Sequence, residues 1–361
     1  MENKKDKIFF SGGGTLGSVV PLLGLYEDLN NKYDNYEYCW VGTKNGPEKD
    51  VVVKYNNIRY FGINSGKFRR YFDVRNFFDF FNVFVAFFQC ISLIKNHKPK
   101  IILTAGGFVC VPLCLAARIL KVPFFVHQQD YEIGLANKIM ARFANVVTVV
   151  LDKSLKDYSS IVGVNKVIKT GNLVKKSIFD FDYSSAKNFF NIHSEKKILL
   201  VTGGGTGAEF INNLILNNLE VILKNYEVIH LVGKGKGLDI KAKGEIVGYH
   251  VYEFLTTEMK MALNIADVII SRAGFSILTE ICALKKPLIL IPLPGHQDLN
   301  AKLFENKAFV YYQENFDNNK FLEDLEKLFS SDELRKIVGD EVGTVIEIGN
   351  DIYMKLVEEY L

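Results

Sequence analysis

Cysteine, charge of one sign and long hydrophobic runs are all scarce in this 361-residue sequence. Its five cysteines are odd in number and form neither a CxxC pair nor a metal-binding spacing with histidine, so we expect buried thiols in a reducing cytosol. The 44 basic side chains nearly balance the 41 acidic ones, which argues against nucleic-acid binding. Because the first residues lack the apolar core of a signal peptide, we expect that the protein is not exported by that route.

Apolar residues make up 48% of the sequence, enough for a large core in a chain long enough for about two domains. Apolar runs of strand length alternate with longer amphipathic segments, first at residues 7–10, 38–41, 101–104, 123–126 and 146–150. The alternation restarts at residues 198–202, 228–232, 268–271 and 288–291. It is typical of βαβ units with parallel sheets. The sequence therefore predicts an α/β protein of two Rossmann-like domains, residues 1–170 and 171–341, with a C-terminal helix at about 342–361 packed back on the first domain.

Two glycine-rich loops, Gly12-x-Gly14-x-x-Gly17 and Gly203-x-Gly205-x-x-Ala208, each follow a predicted strand and open a helix. Glycine lets the backbone approach a phosphate closely, and the N-terminus of the next helix offers unpaired N–H groups. One such loop is as readily a tight turn as a phosphate site, but two in equivalent positions favour phosphate binding. Neither half carries the acidic residue that a dinucleotide-binding unit places about 20 residues further on, so nicotinamide binding is a minor alternative.

A third group of polar residues follows the last predicted strands of the second half. Arg272-Ala273-Gly274 comes directly after one strand, Glu280 lies two turns into the helix that follows, and residues 294–301 come after the next strand. Together with the glycine loops, this pattern resembles the MurG family of N-acetylglucosaminyltransferases, which have the GT-B fold. The matching segments span nearly the whole chain and are residues 12–17, 67–72, 106–109, 127–130, 134–138, 171–174, 203–208, 272–274 and 296–301.

The resemblance implies two Rossmann-like domains that face a cleft. It also implies an inverting, cofactor-free transfer of N-acetylglucosamine from UDP-N-acetylglucosamine to a polyprenyl-diphosphate-linked muramyl peptide, the step from lipid I to lipid II in peptidoglycan synthesis. In the family the residue matching Glu280 accepts hydrogen bonds from both ribose hydroxyls, and the backbone at Phe254 and Leu255 reads the uracil edge. The implied donor site comprises Lys175, Gly205, Thr206, Phe254, Leu255, Ala273, Gly274, Glu280, His296 and Gln297.

The implied acceptor site lies in the first half and comprises Gly13, Gly14, Thr15, Gly17, Ser18, Gly106, Gly107 and Phe108. This half departs from the family pattern at two positions, because Ser18 stands where a histidine is usual and Gln128 where a glutamate is usual. Since neither side chain takes a proton near pH 7, His127 and Asp130 are the predicted catalytic residues. His127 is equally well explained as a buried, hydrogen-bonded histidine, and Asp130 as a helix N-cap.

Asp180-Phe181-Asp182 matches the Asp-x-Asp motif of metal-dependent sugar transferases. It lies in the polar stretch that separates the two halves, residues 171–187, and no predicted strand precedes it. We therefore interpret it as a solvated linker and expect no metal site. Helix dipoles, glycine-loop amides and a basic residue can stabilise a leaving diphosphate without a cation.

Residues 67–100 combine positive charge with aromatic side chains. Seven basic residues stand against two acidic ones, and nine of the 28 phenylalanines fall within residues 68–88. The hydrophobic run at 77–94 is interrupted on one helical face by Asp79, Asn82, Gln89 and Ser92. We therefore expect a helix that lies on an anionic membrane surface rather than spanning it, with a Phe-rich core helix as the alternative. The expected location is the cytoplasmic face of the cell membrane, as a peripheral protein.

The departures at Ser18 and Gln128 leave two other functions open. One is a UDP-sugar transferase that acts on a different lipid acceptor. The other is a relative that binds a UDP-sugar or a lipid carrier without catalysis. Turnover of UDP-N-acetylglucosamine with a lipid I analogue separates them, because a binder gives affinity without release of UDP.

Overall fold

The computed structural model describes residues 5–64, 66, 75–205, 207–236 and 246–361, without the side chains of residues 75–80 and 296. The chain forms two compact units. The first comprises Met1–Lys176 with Ile348–Leu361, and the second comprises Ser177–Glu347. Both divisions fall a few residues later in the chain than the boundaries predicted at residues 170 and 341.

The strands of the first unit are β1 (Asp6–Ser11), β2 (Tyr36–Thr43), β3 (Ile58–Ile63), β4 (Ile101–Thr104), β5 (Phe124–Gln128), β6 (Val146–Val149) and β7 (Val167–Lys169). Those of the second unit are β8 (Lys197–Thr202), β9 (Tyr226–Leu231), β10 (Tyr249–Tyr252), β11 (Val268–Ser271), β12 (Leu288–Leu290) and β13 (Phe309–Val310). All nine strands predicted from apolar runs are confirmed. The four others, β3, β7, β10 and β13, lie toward or at sheet edges.

The helices are α1 (Val20–Lys32), α2 (Pro47–Val52), α3 (Arg75–His97), α4 (Cys110–Ile119), α5 (Leu135–Ala141), α6 (Asp152–Val162), α7 (Tyr183–Phe189), α8 (Glu209–Asn225), α9 (Met259–Ile265), α10 (Phe275–Ala283), α11 (His296–Ala301), α12 (Asn318–Ser330), α13 (Asp332–Gly343) and α14 (Asn350–Glu358). Short 3-10 turns occupy Leu16–Ser18, Val164–Lys166, Lys176–Phe179, Lys302–Phe304 and Gln313–Asn315. Among the described helices, none is both long and apolar enough to cross a membrane.

Both sheets are parallel and doubly wound. The first has the order β3-β2-β1-β4-β5-β6-β7 and the second β10-β9-β8-β11-β12-β13. The direction of winding reverses between β1 and β4 in the first sheet and between β8 and β11 in the second. Ligands of open α/β sheets bind beside the carboxyl ends of the strands at such a reversal. The fold class predicted from the sequence is confirmed, and it places one candidate site in each unit.

Alternating strand residues bury the two faces of the first sheet in separate cores. Phe9 packs with α3 and α4 on one face, whereas Ile8 and Phe10 pack with α1 on the other. The second core also contains Tyr353 of α14, so the C-terminal helix completes the first unit. All five cysteines are buried and unpaired, and burial raises the pKa of Cys90 to about 12.

The segment that matched a metal motif has a structural explanation. Asp182 is the N-cap of α7, where its carboxylate accepts a hydrogen bond from the Ser185 backbone N–H at 2.6 Å. This bond holds the pKa of Asp182 below its usual value. Capping accounts for the second acid of the motif without any ligand.

Candidate functional site

Two loops that were predicted to bind the acceptor, and the loop that was predicted to carry the catalytic residues, converge at the carboxyl edge of the first sheet. The glycine loop after β1 and the loop after β4 lie in direct contact, because a Cβ at Gly107 would lie 2.5 Å from the Gly13 carbonyl oxygen and one at Gly14 would lie 2.5 Å from the Phe108 ring. The loop that ends β5 joins them through Gln129, whose Nε2 donates to the Gly17 carbonyl oxygen at 3.0 Å. These loops flank the point where the winding of the sheet reverses.

Buried polar atoms without a partner among the described residues mark the same edge. Of five such atoms, three lie here, namely Ser18 Oγ beside the first glycine loop, Thr43 Oγ1 at the end of β2, and Asn137 Oδ1 on α5, whereas the other two belong to Ser154 on α6 and Tyr353 on α14. Asn137 faces the loop after β4, since a Cβ at Gly106 would lie 2.6 Å from its Oδ1. A buried polar atom without a partner costs free energy, and a sugar hydroxyl, which both donates and accepts, can supply the missing hydrogen bond. Thr43 and Asn137 were not predicted as site residues.

His127 is fully buried and bonded through both ring nitrogens. Nδ1 lies 2.8 Å from Thr148 Oγ1, and Nε2 lies 2.9 Å from Asn172 Oδ1. Burial lowers the pKa of His127 to about 4, so the ring is neutral at pH 7. A base needs a free lone pair within reach of the acceptor hydroxyl. The structure therefore favours the structural explanation of His127 over the predicted catalytic one.

The depressed pKa of His127 predicts an acid-sensitive fold. An unfolded histidine titrates near 6.5, so between pH 6.5 and pH 4 the unfolded chain binds more protons than the folded one. The free energy of unfolding falls as the pH is lowered through this window, by about 2 kcal/mol between pH 7 and pH 5 for His127 alone. We expect His127→Gln to remove that part of the slope in urea denaturation at the two pH values.

His193 provides the matched control because it is exposed on the surface of the second unit. His193→Gln removes an exposed histidine instead of a buried one, so a comparison of the two variants isolates the contribution of the buried His127 ring. Equal differences for the wild type and His127→Gln would contradict the prediction, because they would show that burial does not depress the pKa of His127.

Gln128 makes hydrogen bonds that a carboxylate in its place could not make. Its Nε2 donates to the backbone carbonyl oxygens of Asp130 at 2.8 Å and Glu132 at 3.0 Å. Its Oε1 accepts from Asn137 Nδ2 at 2.9 Å and from the Tyr158 hydroxyl at 3.1 Å. A carboxylate could accept the last two bonds but could not donate the first two. Gln128 therefore fixes the loop that carries Asp130.

Asp130 is exposed in that loop. It is not a helix N-cap, because α5 begins at Leu135 and its N-cap residue is Gly134. Of the two predicted catalytic side chains, Asp130 is the one whose exposure allows contact with a substrate.

The predicted donor residues of the second unit collect at the carboxyl edge of its sheet. The glycine loop joins β8 to α8, and its close approach to β9 requires glycine, since a Cβ at Gly207 would lie 2.0 Å from the Val232 carbonyl oxygen. Ala208 and Gly274, the N-caps of α8 and α10, make no side-chain capping bond. Both helices begin beside the winding reversal, between β8 and β11. Their first backbone N–H groups are not capped by a side chain, so they can donate hydrogen bonds to a diphosphate. Thr206 lies outside the described residues.

Arg272 and Asn300, which were not predicted as site residues, hold the loops of this edge together. The Arg272 guanidinium is buried and donates to the carbonyl oxygens of Ile291 at 3.1 Å and Pro292 at 2.6 Å. Asn300 Nδ2 donates to the Ala273 carbonyl oxygen at 3.0 Å. The residues after β11 are thereby fixed against those after β12.

Gln297 Oε1 accepts from the Leu293 backbone N–H at 2.9 Å, so this side chain folds onto its own loop. The side chain of the neighbouring His296 lies outside the described residues.

Glu280 is half-buried on α10, about two turns beyond Gly274. Leu255 is buried and Phe254 is 39% exposed directly after β10, at the same sheet edge. Lys175 differs from the other predicted donor residues because it belongs to the first unit. Its ammonium donates to the Tyr55 hydroxyl at 2.8 Å in that unit.

Metal-ligating side chains do not gather into a group of three or more anywhere in the described ranges. The polar groups that the two sheet edges offer include backbone amides, hydroxyls and side-chain amides, together with the carboxylates of Glu280 and Asp130. Such groups suit sugar and phosphate oxygens.

Two doubly wound parallel sheets, each with a glycine loop at its winding reversal, make up the GT-B fold. The model of the glycosyltransferase family 28 N-terminal domain matches residues 8–149, and that of the C-terminal domain of the same family matches residues 198–338. The chain belongs to glycosyltransferase family 28.

Relatives with curated names are similar over nearly the full length. A Clostridium perfringens protein named UDP-N-acetylglucosamine–N-acetylmuramyl-(pentapeptide) pyrophosphoryl-undecaprenol N-acetylglucosamine transferase is 38% identical over 359 residues, covering 96% of this chain and 98% of the relative. A Clostridium tetani protein of the same name is 36% identical, covering 99% and 98%. The crystal structure of Acinetobacter baumannii MurG superposes with a TM-score of 0.69 at 21% identity, covering 98% of this chain and 99% of that one. The resemblance to the MurG family is confirmed.

Proposed function

We propose that the protein transfers N-acetylglucosamine from UDP-N-acetylglucosamine to undecaprenyl-diphosphate-linked N-acetylmuramyl peptide, the step from lipid I to lipid II of peptidoglycan synthesis. The observation that carries the proposal is the sequence identity of 38%, over 96% of this chain, to a transferase named for this reaction. The converging loops at the carboxyl edges of both sheets supply a site for each substrate.

In the proposed reaction the second unit binds the nucleotide of the donor. The carboxylate of Glu280 accepts hydrogen bonds from the two ribose hydroxyls, and the backbone after β10 contacts the uracil. The amides of the glycine loop and of the first turn of α8 face the diphosphate. As UDP departs, these amides stabilise the developing negative charge.

The first unit binds the acceptor at the edge where Ser18, Thr43 and Asn137 hold polar atoms without partners among the described residues. The acceptor hydroxyl loses its proton to Asp130 while its oxygen forms a bond to C1 of the donor sugar. The C1–O bond to the diphosphate breaks at the same time, and the configuration at C1 is inverted. Gln128 holds the loop that carries the base through the carbonyl oxygens of Asp130 and Glu132.

Release of UDP from UDP-N-acetylglucosamine in the presence of a lipid I analogue tests the proposal. We expect UDP release that depends on both substrates and a product that contains the transferred sugar. Binding of UDP-N-acetylglucosamine without release would indicate the non-catalytic alternative. Release with a different polyprenyl-diphosphate sugar, but none with the lipid I analogue, would indicate the other acceptor.

We further propose that the first unit lies on the cytoplasmic face of the membrane through α3. The large apolar side chains at positions 81, 84, 85 and 88 of this helix are 44–57% exposed, whereas Ala86, Cys90 and Ile94 are buried against the core. The spacing of the exposed side chains places them in one outward stripe. This arrangement argues against the alternative of a Phe-rich core helix. The matching segment at residues 67–72 lies outside the described residues.

A basic cavity in the same unit supports contact with anionic lipid. The cavity has a volume of about 520 Å³ and lies at the amino ends of β5, β6 and β7. The cavity is lined by four cations, Arg118, Lys121, Arg142 and Lys166, and by no carboxylate. None of these cations forms an ion pair with a described residue. Phe143 in its wall is 42% exposed. Unpaired cations beside exposed apolar side chains suit the headgroup region of an anionic bilayer.

We expect the combined substitution Phe81→Ser, Phe84→Ser and Phe88→Ser to release the protein from anionic vesicles. The three rings are more than half exposed, so their loss removes apolar area that would enter the bilayer while leaving the core intact. Phe87 is kept because it packs against the buried core. Co-sedimentation with vesicles containing phosphatidylglycerol measures the bound fraction.

The control carries serine at Val221, Ile337 and Ile352, which are 54%, 53% and 49% exposed on other surfaces. This variant should remain bound to the vesicles. Retention of the folded α3 variant at the wild-type level would refute the anchor.

A further inference from the structure

Glu48 is a fully buried carboxylate beneath the first glycine loop, on the first turn of α2. Its Oε1 accepts from the Thr43 backbone N–H at 2.7 Å, and its Oε2 accepts from the Gly14 backbone N–H at 3.2 Å. One side chain thus ties the loop after β1 to the end of β2.

The glycines around this carboxylate lie so close to it that a side chain at their positions would clash with it. A Cβ at Gly13 would lie 2.5 Å from Glu48 Oε1, and a Cβ at Gly46 would lie 2.3 Å from Glu48 Oε2. Gly14 has φ +83°, a conformation that also favours glycine. The loop therefore packs tightly around Glu48. Its glycines are needed to make room for this carboxylate, as well as to let a ligand approach the backbone.

Burying this carboxylate is costly, because it has no ion-pair partner among the described residues. A neutral side chain of similar size could fill the same space at a lower desolvation cost. The carboxylate differs from such a side chain because each of its two oxygens accepts a hydrogen bond from a backbone N–H group of a different chain segment. Because the Gly14 N–H donates to Glu48, this amide does not bond a ligand. The other amides of the loop are the ones that can bond the acceptor.

We propose that Glu48 is a positioning residue for acceptor binding, which fixes the glycine loop in the shape that receives the acceptor diphosphate sugar. The inference rests on the proposed function. Glu48 does not touch the substrate, and it acts through the backbone at Gly13 and Gly14.

The test compares Glu48→Gln with Asp50→Asn, a change of an exposed carboxylate on the same helix. In Glu48→Gln one oxygen becomes an NH₂ group that meets a backbone N–H, so one bond is lost and the loop must shift. We expect the KM for a lipid I analogue to rise at least about tenfold. The KM for UDP-N-acetylglucosamine and the UDP affinity should stay within about twofold of the wild type, since all the predicted donor residues except Lys175 lie in the second unit. Asp50→Asn should change none of these quantities.

Hydrogen exchange gives a second readout that does not depend on turnover. In Glu48→Gln the amides of a peptide covering residues 12–18 should exchange at least about tenfold faster, and in Asp50→Asn at the wild-type rate. Unchanged exchange, or equal rises in both KM values, would overturn the inference. A wild type that fails to transfer sugar would refute the proposed function instead, and the exchange rates would still decide whether Glu48 holds the loop.

Discussion

Asp130→Asn should lower turnover by about 10²- to 10⁴-fold while leaving the affinity for UDP nearly unchanged. The substitution keeps the size and the polarity of the side chain but removes its capacity to take a proton from the acceptor hydroxyl. Because the loop is held by Gln128 through the backbone carbonyl oxygens of Asp130 and Glu132, the amide should not displace it. Steady-state release of UDP and calorimetric titration with UDP measure the two quantities.

Asp157 provides the control for this experiment, as a half-buried acid of the same unit that forms a surface ion pair with Lys153. Asp157→Asn should retain wild-type turnover. Turnover of Asp130→Asn within about threefold of the wild type would show that another group accepts the proton. A loss of UDP affinity that matched the loss of turnover would instead indicate a general defect of folding.

The strands that the sequence predicts are those with continuous apolar runs near the middle of each sheet. β3 does not show this pattern because, at the sheet edge, its residues Arg59 and Gly62 are exposed, and Tyr60 and Phe61 are only partly buried. β7 and β13 contain three and two residues, too few for any periodicity to appear. Edge strands are buried on fewer sides, so their apolar pattern weakens where neighbours are missing.

In the candidate site too, features set by the local sequence could be predicted, whereas features that depend on tertiary contacts could not. Glycine loops after strands can be predicted because the chain must turn there and the next helix begins at once. Glu48 could not be predicted, because a Gly-Pro-Glu sequence is typical of an exposed helix start and only the closing of the glycine loop buries the carboxylate. The role of Gln128 was missed for a similar reason, since its four partners are spread over α5, α6 and two loop carbonyls.

Glu280→Ala should weaken UDP binding by about 10- to 150-fold, the effect of losing charge-assisted hydrogen bonds worth on the order of 1.5 to 3 kcal/mol. The carboxylate lies on α10, at the winding reversal where a ribose would sit above the helix N-terminus. Both ribose hydroxyls would lose their shared acceptor, so 2′-deoxy-UDP should lose less affinity than UDP in the variant. Calorimetric titration of both nucleotides measures the difference.

Two features make the Glu280 result specific. Glu280 is half-buried on a helix whose core residues Leu278 and Ile281 are unaffected by the substitution, so the thermal unfolding midpoint should change little. Glu220→Ala removes an exposed carboxylate from α8 of the same unit and should leave the UDP affinity at the wild-type value. If Glu280→Ala bound UDP as tightly as Glu220→Ala does, the ribose contact would have to come from another residue of this sheet edge.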